Sequence, residues 1–597
     1  MFLVREIRLM PYAAFHYRSV LILTAILAVG TLRISRAEES FPEQIDRIIE
    51  AACRRDGTKV AGPSDDAEFV RRVYLDLIGV VPTADEARTF LDDPTDDKRA
   101  QLVDALLARP EFALQMARVF DAMLIERRIA TIPSYDIKAP GWQDWLAESF
   151  RQNKPWDQLA REMLGSDGTG ETNGAAAKFY LVRDVESHLV ARDIGRLLLG
   201  TDLQCAQCHD DPRFKAYRQA DYYGLYAFVS RLQHFRDDDK KLNFVTEKAK
   251  GDVSFTSAFT GTQGETNPQL PGGQMIADPP LAEDKEYKVK PEKGQMGIPA
   301  YSRRTRLAEF LPRRETKGFS RNIANRVWAV MFGQGIVHPL DMHHPDNSPS
   351  HPELLKRLAE RLEQTDYDIR GLLRDIALTR TYQRSSQLPN VDKKSIVPDP
   401  SRFAIATLRP LSPEQLGWSV LQVTGRLPSR LSRTERKMQE AAQKDHTNSK
   451  HERGTAESAK RDDHASAADL RWQVYKKVYG DLRPELTTLF TVFSRLPGQP
   501  DNGFQPSVDQ ALYLLNSEQI VKFMKESVLL DRLSHLEKSD KLADELYLAV
   551  LSRRPTDDEK ADVAQLAEGA SDQKQRREIV RQIVWGQLLS AEFRLNH

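Results

Sequence analysis

Two segments near opposite ends of the chain carry one pattern, and that pattern reads as helix, turn, helix. Tyr74-Leu75-Asp76-Leu77-Ile78 leads to Pro82-Thr83-Ala84-Asp85-Glu86, and Tyr547-Leu548-Ala549-Val550-Leu551 leads to Pro555-Thr556-Asp557-Asp558-Glu559. In each, apolar residues at helical spacing stop before a proline that cannot continue the helix, and a threonine can cap the next one ahead of acidic residues. Each unit closes alike, with Leu106-Leu107 before Glu111-Phe112 and Leu588-Leu589 before Glu592-Phe593. The pattern does not recur at a fixed period between the two copies. The expectation is a duplicated packing element, not a solenoid.

Helical periodicity dominates the rest. Trp142, Trp145, Leu146, Phe150 and Trp156 form an aromatic stripe of the kind that usually packs a core. Asn325 to Phe332 is a strongly apolar helix ended by Gly333, and Ser350-His351-Pro352-Glu353 begins another. Residues 242–297 break the rule: short alternating runs are interrupted by Pro268, Pro271-Gly272-Gly273 and Pro279-Pro280, which fits strands and loops. From Thr434 to Ala468 charged and small residues leave hardly an apolar anchor, so this stretch is expected as a disordered or loosely helical linker. The chain should thus be mainly α and multidomain, with a small β-rich insertion. Its expected parts are a helical domain at 38–241, the insertion at 242–300, and a second helical domain at 301–433 and 469–597 divided by the charged linker.

Charge and cysteine content narrow the function classes. Basic and acidic residues number 86 each, so no electrostatic case for nucleic acid exists. Arg5, Arg8 and Arg18 precede an uncharged run from Ser19 to Leu32, and Ser35-Arg36-Ala37 offers small residues before Glu38. Residues 1–37 therefore read as an export signal, with an uncleaved anchor as the alternative, and the mature chain is expected at the periplasm or cell surface. Only three cysteines occur, too few for a disulfide scaffold. Cys53 sits at an apolar-periodic position and is expected as a small core residue.

The other two cysteines name a chemistry. Cys205-Ala206-Gln207-Cys208-His209 has the spacing of covalent haem attachment, in which two thiols bond the porphyrin and the histidine that follows binds iron from the proximal side. In an exported chain one haem c is the expected cofactor. The distal iron ligand would decide the redox role, since a methionine raises the potential and a histidine lowers it. His188, His234, Met275, Met296, Met342, His343 and His344 all qualify by residue type. His234 lies closest downstream and is the first choice, whereas Met342 to His344 form the richest cluster. Tyr222, Tyr223, Tyr226 and Phe228 follow the motif and are candidates to touch the porphyrin.

These motifs resemble a family. Leu199-Gly200 and Leu203-Gln204-Cys205-Ala206-Gln207-Cys208-His209-Asp210, with Asp221-Tyr222-Tyr223-Gly224-Leu225 after them, resemble the planctomycete cytochrome-c-like domain. Asn325-Arg326-Val327-Trp328, Ser350-His351-Pro352-Glu353-Leu354-Leu355, Thr381-Tyr382-Gln383 and Ala511-Leu512-Tyr513-Leu514-Leu515-Asn516 look like its C-terminal companion, a planctomycete-specific domain. The resemblance covers nearly everything after residue 37 and implies this two-part architecture. One position departs: relatives commonly carry a histidine where this chain has Asp211, which weakens any scheme using that position as a metal ligand.

Three functions are consistent with these features. The first is an exported haem c protein in electron transfer or redox sensing, serving an exported redox partner or a cell-surface component. The second is a non-haem interaction or cell-surface protein, with Cys205 and Cys208 as a disulfide or, with His209, a structural metal site; its support is size, since a cytochrome domain needs about 100 residues. The third is a hydrolase of surface polymers using Asp210 and Asp211, which only residue type supports. No nucleophile elbow, phosphate-cradling glycine loop or zinc-protease helix is present in the sequence.

Overall fold

The computed structural model describes residues 39–128, 141–210, 217–388, 398–450, 459–494 and 507–596. The expected export segment and Asp211 lie outside them.

Both repeated units fold as their local signals dictate. Helix Asp66–Ile78 starts where Asp65 accepts from the Glu68 amide and stops at Gly79, whose φ of 75° is left-handed. A side chain there would strike Gln115. Helix Ala84–Asp92 opens with a reciprocal cap, in which Thr83 accepts from the Glu86 amide and Glu86 accepts from the Thr83 amide. Helices Ser539–Leu551 and Asp557–Glu568 repeat the arrangement, with Thr556 and Glu559 as the capping pair. In both copies an arginine ties the capping glutamate to the closing one. Arg109 binds Glu86 at 2.7 Å and Glu111 at 2.5 Å, and Arg553 binds Glu559 at 2.7 Å and Glu592 at 2.6 Å.

The copies also pack on each other. Helix Ser539–Leu551 lies against helix Ala84–Asp92, with Arg88 bonded to Glu545 and Arg554 to Asp92. The buried Arg71 donates to the carbonyls of Val550, Glu592 and Phe593, the last at 2.6 Å. Burial pulls its guanidinium down to about 10. Two-residue strands, Arg409–Pro410 and Leu595–Asn596, add a second tie between distant parts of the chain.

One continuous apolar core runs through the helices and contains Cys53 and the Trp142–Trp156 stripe. Between the helical parts stand three antiparallel hairpins. They pair β1 (Leu232–Asp237) with β2 (Leu242–Glu247), β3 (Val253–Thr256) with β4 (Gln263–Thr266), and β5 (Tyr287–Val289) with β6 (Ile298–Pro299). The β region thus begins ten residues before the composition changes. Its first strand is specified by cross-strand partners such as Phe235 opposite Phe244, not by glycine and proline content.

The charged stretch from 434 to 468 is helical wherever it is described. It belongs to helices Arg426–Lys450 and Ala459–Leu482, which pack together. Lys, Arg, Glu, Gln and Ala are strong helix formers, and the pair is anchored outside the polar stretch by buried Leu427, Trp472, Val478 and Tyr479. Of the two expectations, disordered or loosely helical, the described residues follow the helical one. No helix among the described residues is long and apolar enough to cross a membrane.

Candidate functional site

Helix Ser187–Ile194 runs on through one wide turn, Gly195–Leu199, and ends at Gly200 with a φ of 73°. The next residues deliver the motif. Asp202 accepts from the Gln204 amide at 2.9 Å and starts a tight turn over Cys205–Gln207, closed by the Cys208 amide donating to the Cys205 carbonyl at 3.4 Å. Ala206 is fully buried and anchors this turn in a satellite apolar cluster with Leu203, Tyr217 and Tyr222. Cys205 and Cys208 flank it as exposed, free thiols.

His209 Nδ1 lies 2.7 Å from the Asp210 carbonyl. A carbonyl only accepts, so Nδ1 carries the proton and Nε2 keeps its lone pair, the tautomer a metal-ligating histidine needs. The face of the ring is stacked on Phe259, with centroids 4.1 Å apart and planes 20° from parallel.

Neighbouring residues hold this turn from below. The Asp210 carboxylate accepts from the Gln219 amide at 2.8 Å, so it is committed to starting helix Gln219–Ala227. On that helix the Tyr222 hydroxyl sits 2.8 Å from His188 Nδ1, and His188 stacks on Tyr226 at 4.3 Å. Tyr223 stacks on Phe255 of β3 at 4.7 Å. Burial, with the nearby Cys208 sulfur adding to it, pushes the Tyr223 phenol up.

The distal candidates fall into distinct places. His234, on β1, donates through Nε2 to Asn243 of β2 at 2.9 Å. Met342 pairs with Thr201 in an antiparallel bridge, the His343 amide donates to the Gly200 carbonyl at 2.9 Å, and the Asp202 amide donates to the Asp341 carbonyl at 2.9 Å. The loop carrying Met342, His343 and His344 therefore lies along the segment that leads into Cys205. The His343 ring is tucked against Gly200 and Asn325, and burial together with Arg321 and Arg326 pulls it down to about 3, so it is neutral. His344 sets its ring edge-on to Tyr217 at 5.5 Å and accepts from the Asp346 amide through Nδ1. Met275 is exposed and Met296 half-buried. Among the described residues no three His, Cys, Asp or Glu side chains converge as metal ligands.

Two features gave no signal in the sequence. One is Phe259, fifty residues from His209. The other is a buried ion network behind the motif: Arg196 reaches Glu126 at 2.6 Å, Asp193 at 3.2 Å and Asp341 at 3.0 Å, and Arg183 reaches Asp193 at 2.8 Å. These arginines hold the Asp193 carboxyl well below the usual range against the opposing effect of burial. Through Asp341 the network braces the loop that pairs with Thr201. A cavity of about 1910 Å³ opens beyond Arg196 and Asp341, lined also by Arg118, Trp418 and Arg127, and the Cys205–His209 turn is not part of its wall.

Fold and site together define a mainly α, multidomain chain that presents a Cys-x-x-Cys-His turn at its surface, backed by a tyrosine-rich helix and flanked by β hairpins. Residues 44–234 match the family model PSCyt2, a protein of unknown function (DUF1549), and residues 303–567 match PSD1, a protein of unknown function (DUF1553). The motif falls inside the first match, while nearly all of the β region falls between the two. No curated protein and no solved structure matches the chain.

Proposed function

We propose that this is an exported haem c protein that carries one covalently attached haem and works in electron transfer or redox sensing. The observation that carries the reading is the Cys205–His209 turn, where two accessible thiols flank a buried alanine and the adjoining imidazole has its lone pair on Nε2. That donor set suits the group. Cys205 and Cys208 would hold the porphyrin through thioethers, and His209 Nε2 would be the proximal ligand; bound haem supplies one-electron chemistry. The carbonyl of Asp210 fixes the imidazole tautomer.

For the distal side, the loop of Met342, His343 and His344 has the better claim than His234. It is hydrogen-bonded to the residues before Cys205, whereas the His234 ring is held by Asn243. Within that loop the half-buried, neutral His343 packs its ring among Gly200 and Asn325, leaving Met342 and His344 as the candidates. The partner in this reading is an exported redox protein.

Peroxidase staining of denaturing gels tests the assignment, with the protein expressed alongside cytochrome c maturation machinery. A stained band that disappears when Cys205 and Cys208 are both changed to Ser is expected. A second reading, a redox-active dithiol without haem, is favoured by the exposure of both sulfurs. It requires an unstained protein that forms a Cys205–Cys208 disulfide on mild oxidation.

A further inference from the structure

Resting on the haem assignment above, we propose that the β3–β4 hairpin is a clamp on the cofactor site, and that Phe259 at its turn is a positioning residue that sets the orientation of the proximal imidazole of His209.

Phe259 is an anomaly on its own terms. Its side chain is 72% exposed, although a phenyl ring gains most from burial. Among the described residues the ring it faces is His209, at a centroid distance of 4.1 Å and nearly parallel. That geometry opposes tilting of the imidazole about its Cβ–Cγ bond, a motion that the bond from Nδ1 to the adjoining Asp210 carbonyl restrains from one ring edge only.

The hairpin is also fastened to the motif by backbone. The Ala258 amide donates to the Cys208 carbonyl at 2.8 Å, and Gln219 Nε2 reaches both the Gln207 carbonyl at 3.4 Å and the Thr256 carbonyl at 3.3 Å. One side chain thus bridges the attachment turn and the end of β3. Stacking of Phe255 on Tyr223 joins the same strand to helix Gln219–Ala227. Within the turn, the Ser257 amide donates to Thr262, the Gly261 amide donates to Ser257, and Gly261 adopts a φ of 68°. The turn is therefore shaped by its own hydrogen bonds, and its tip holds a ring against His209. Outer contacts that orient a ligating histidine tune the metal, and an apolar ring beside it limits water access. A hairpin in the segment between the two matched regions so becomes part of the haem site.

The experiment compares wild type, Phe259→Ala, Phe259→Tyr and Gln219→Ala, each as the full chain matured with haem. The readouts are attached haem per chain, the low-spin electron paramagnetic resonance g-values and the paramagnetically shifted haem methyl resonances. Phe259→Ala should keep its fold and its haem, because the side chain is exposed and forms no part of the thioether bonds. Its g-values and methyl shifts should move away from wild type, Phe259→Tyr should restore them, and Gln219→Ala should move them in the same direction. Spectra of haem-loaded Phe259→Ala identical to wild type would overturn the proposal. Loss of haem from a folded Phe259→Ala protein would also overturn it, in favour of a role in attachment. A wild type that carries no haem defeats the underlying assignment instead, and is recognised before any variant is measured.

Discussion

Thr201 and Met342 face each other across an isolated antiparallel bridge, although they are far apart in the chain. This pairing lays the loop of possible iron ligands along the residues that introduce Cys205. Gly200 makes the approach feasible, because its φ of 73° turns the chain and a Cβ there would come within 2.7 Å of His343 Cδ2 and 2.9 Å of Asn322 Oδ1.

Gly200→Ala should therefore destabilise the protein by about 1–3 kcal/mol, from left-handed backbone strain and the displacement of His343. Urea unfolding checks the loss. In haem-loaded protein the same change should alter the visible spectrum, because the Met342 loop shifts relative to the motif.

Arg71 is the internal tie between the two repeated units, donating to three backbone carbonyls near the second copy. Arg71→Met keeps much of the side-chain volume but leaves those buried acceptors without their donor. The cost should be roughly 3 kcal/mol. Limited proteolysis should then cut earlier around Leu551 to Glu592 than in wild type, while a change at exposed Asp562 should leave the cleavage pattern unchanged.

Acid should weaken the fold through His351. This residue is 3% exposed, and burial, together with Arg402 and Arg55, pulls it down to about 4. The unfolded chain, with an ordinary histidine, binds a proton near pH 6.5 that the folded chain refuses until about pH 4. Stability from this group is present above pH 6.5 and falls as the pH drops toward 4, at up to about 1.4 kcal/mol per pH unit. Unfolding free energies measured across that window should lose this slope in His351→Gln, with the steeper wild-type profile as the reference.

The legible parts of the molecule are those governed by near neighbours in sequence. Pro82 and Thr83, and again Pro555 and Thr556, state where a helix stops and the next starts, and both copies form accordingly. That the copies lie against each other through Arg88 and Glu545 is a long-range fact with no local trace. The same holds at the site. Cys205, Cys208 and His209 announce themselves by spacing, whereas Phe259 reaches His209 only because β3 and β4 pair and Gln219 bridges the result. The charged stretch beyond Arg426 left helix and disorder both open for a different reason: its apolar anchors stand outside the polar residues.

The attachment of haem to Cys205 and Cys208 is the central claim, and intact-mass spectrometry combined with a pyridine haemochrome spectrum measures it directly. Protein matured in a host whose control cytochrome is fully loaded should gain the mass of one haem and give the spectrum of two thioether bonds, and the Cys205→Ser, Cys208→Ser double variant should gain nothing. A colourless wild-type protein of unmodified mass, without a Soret band under those conditions, would contradict the account.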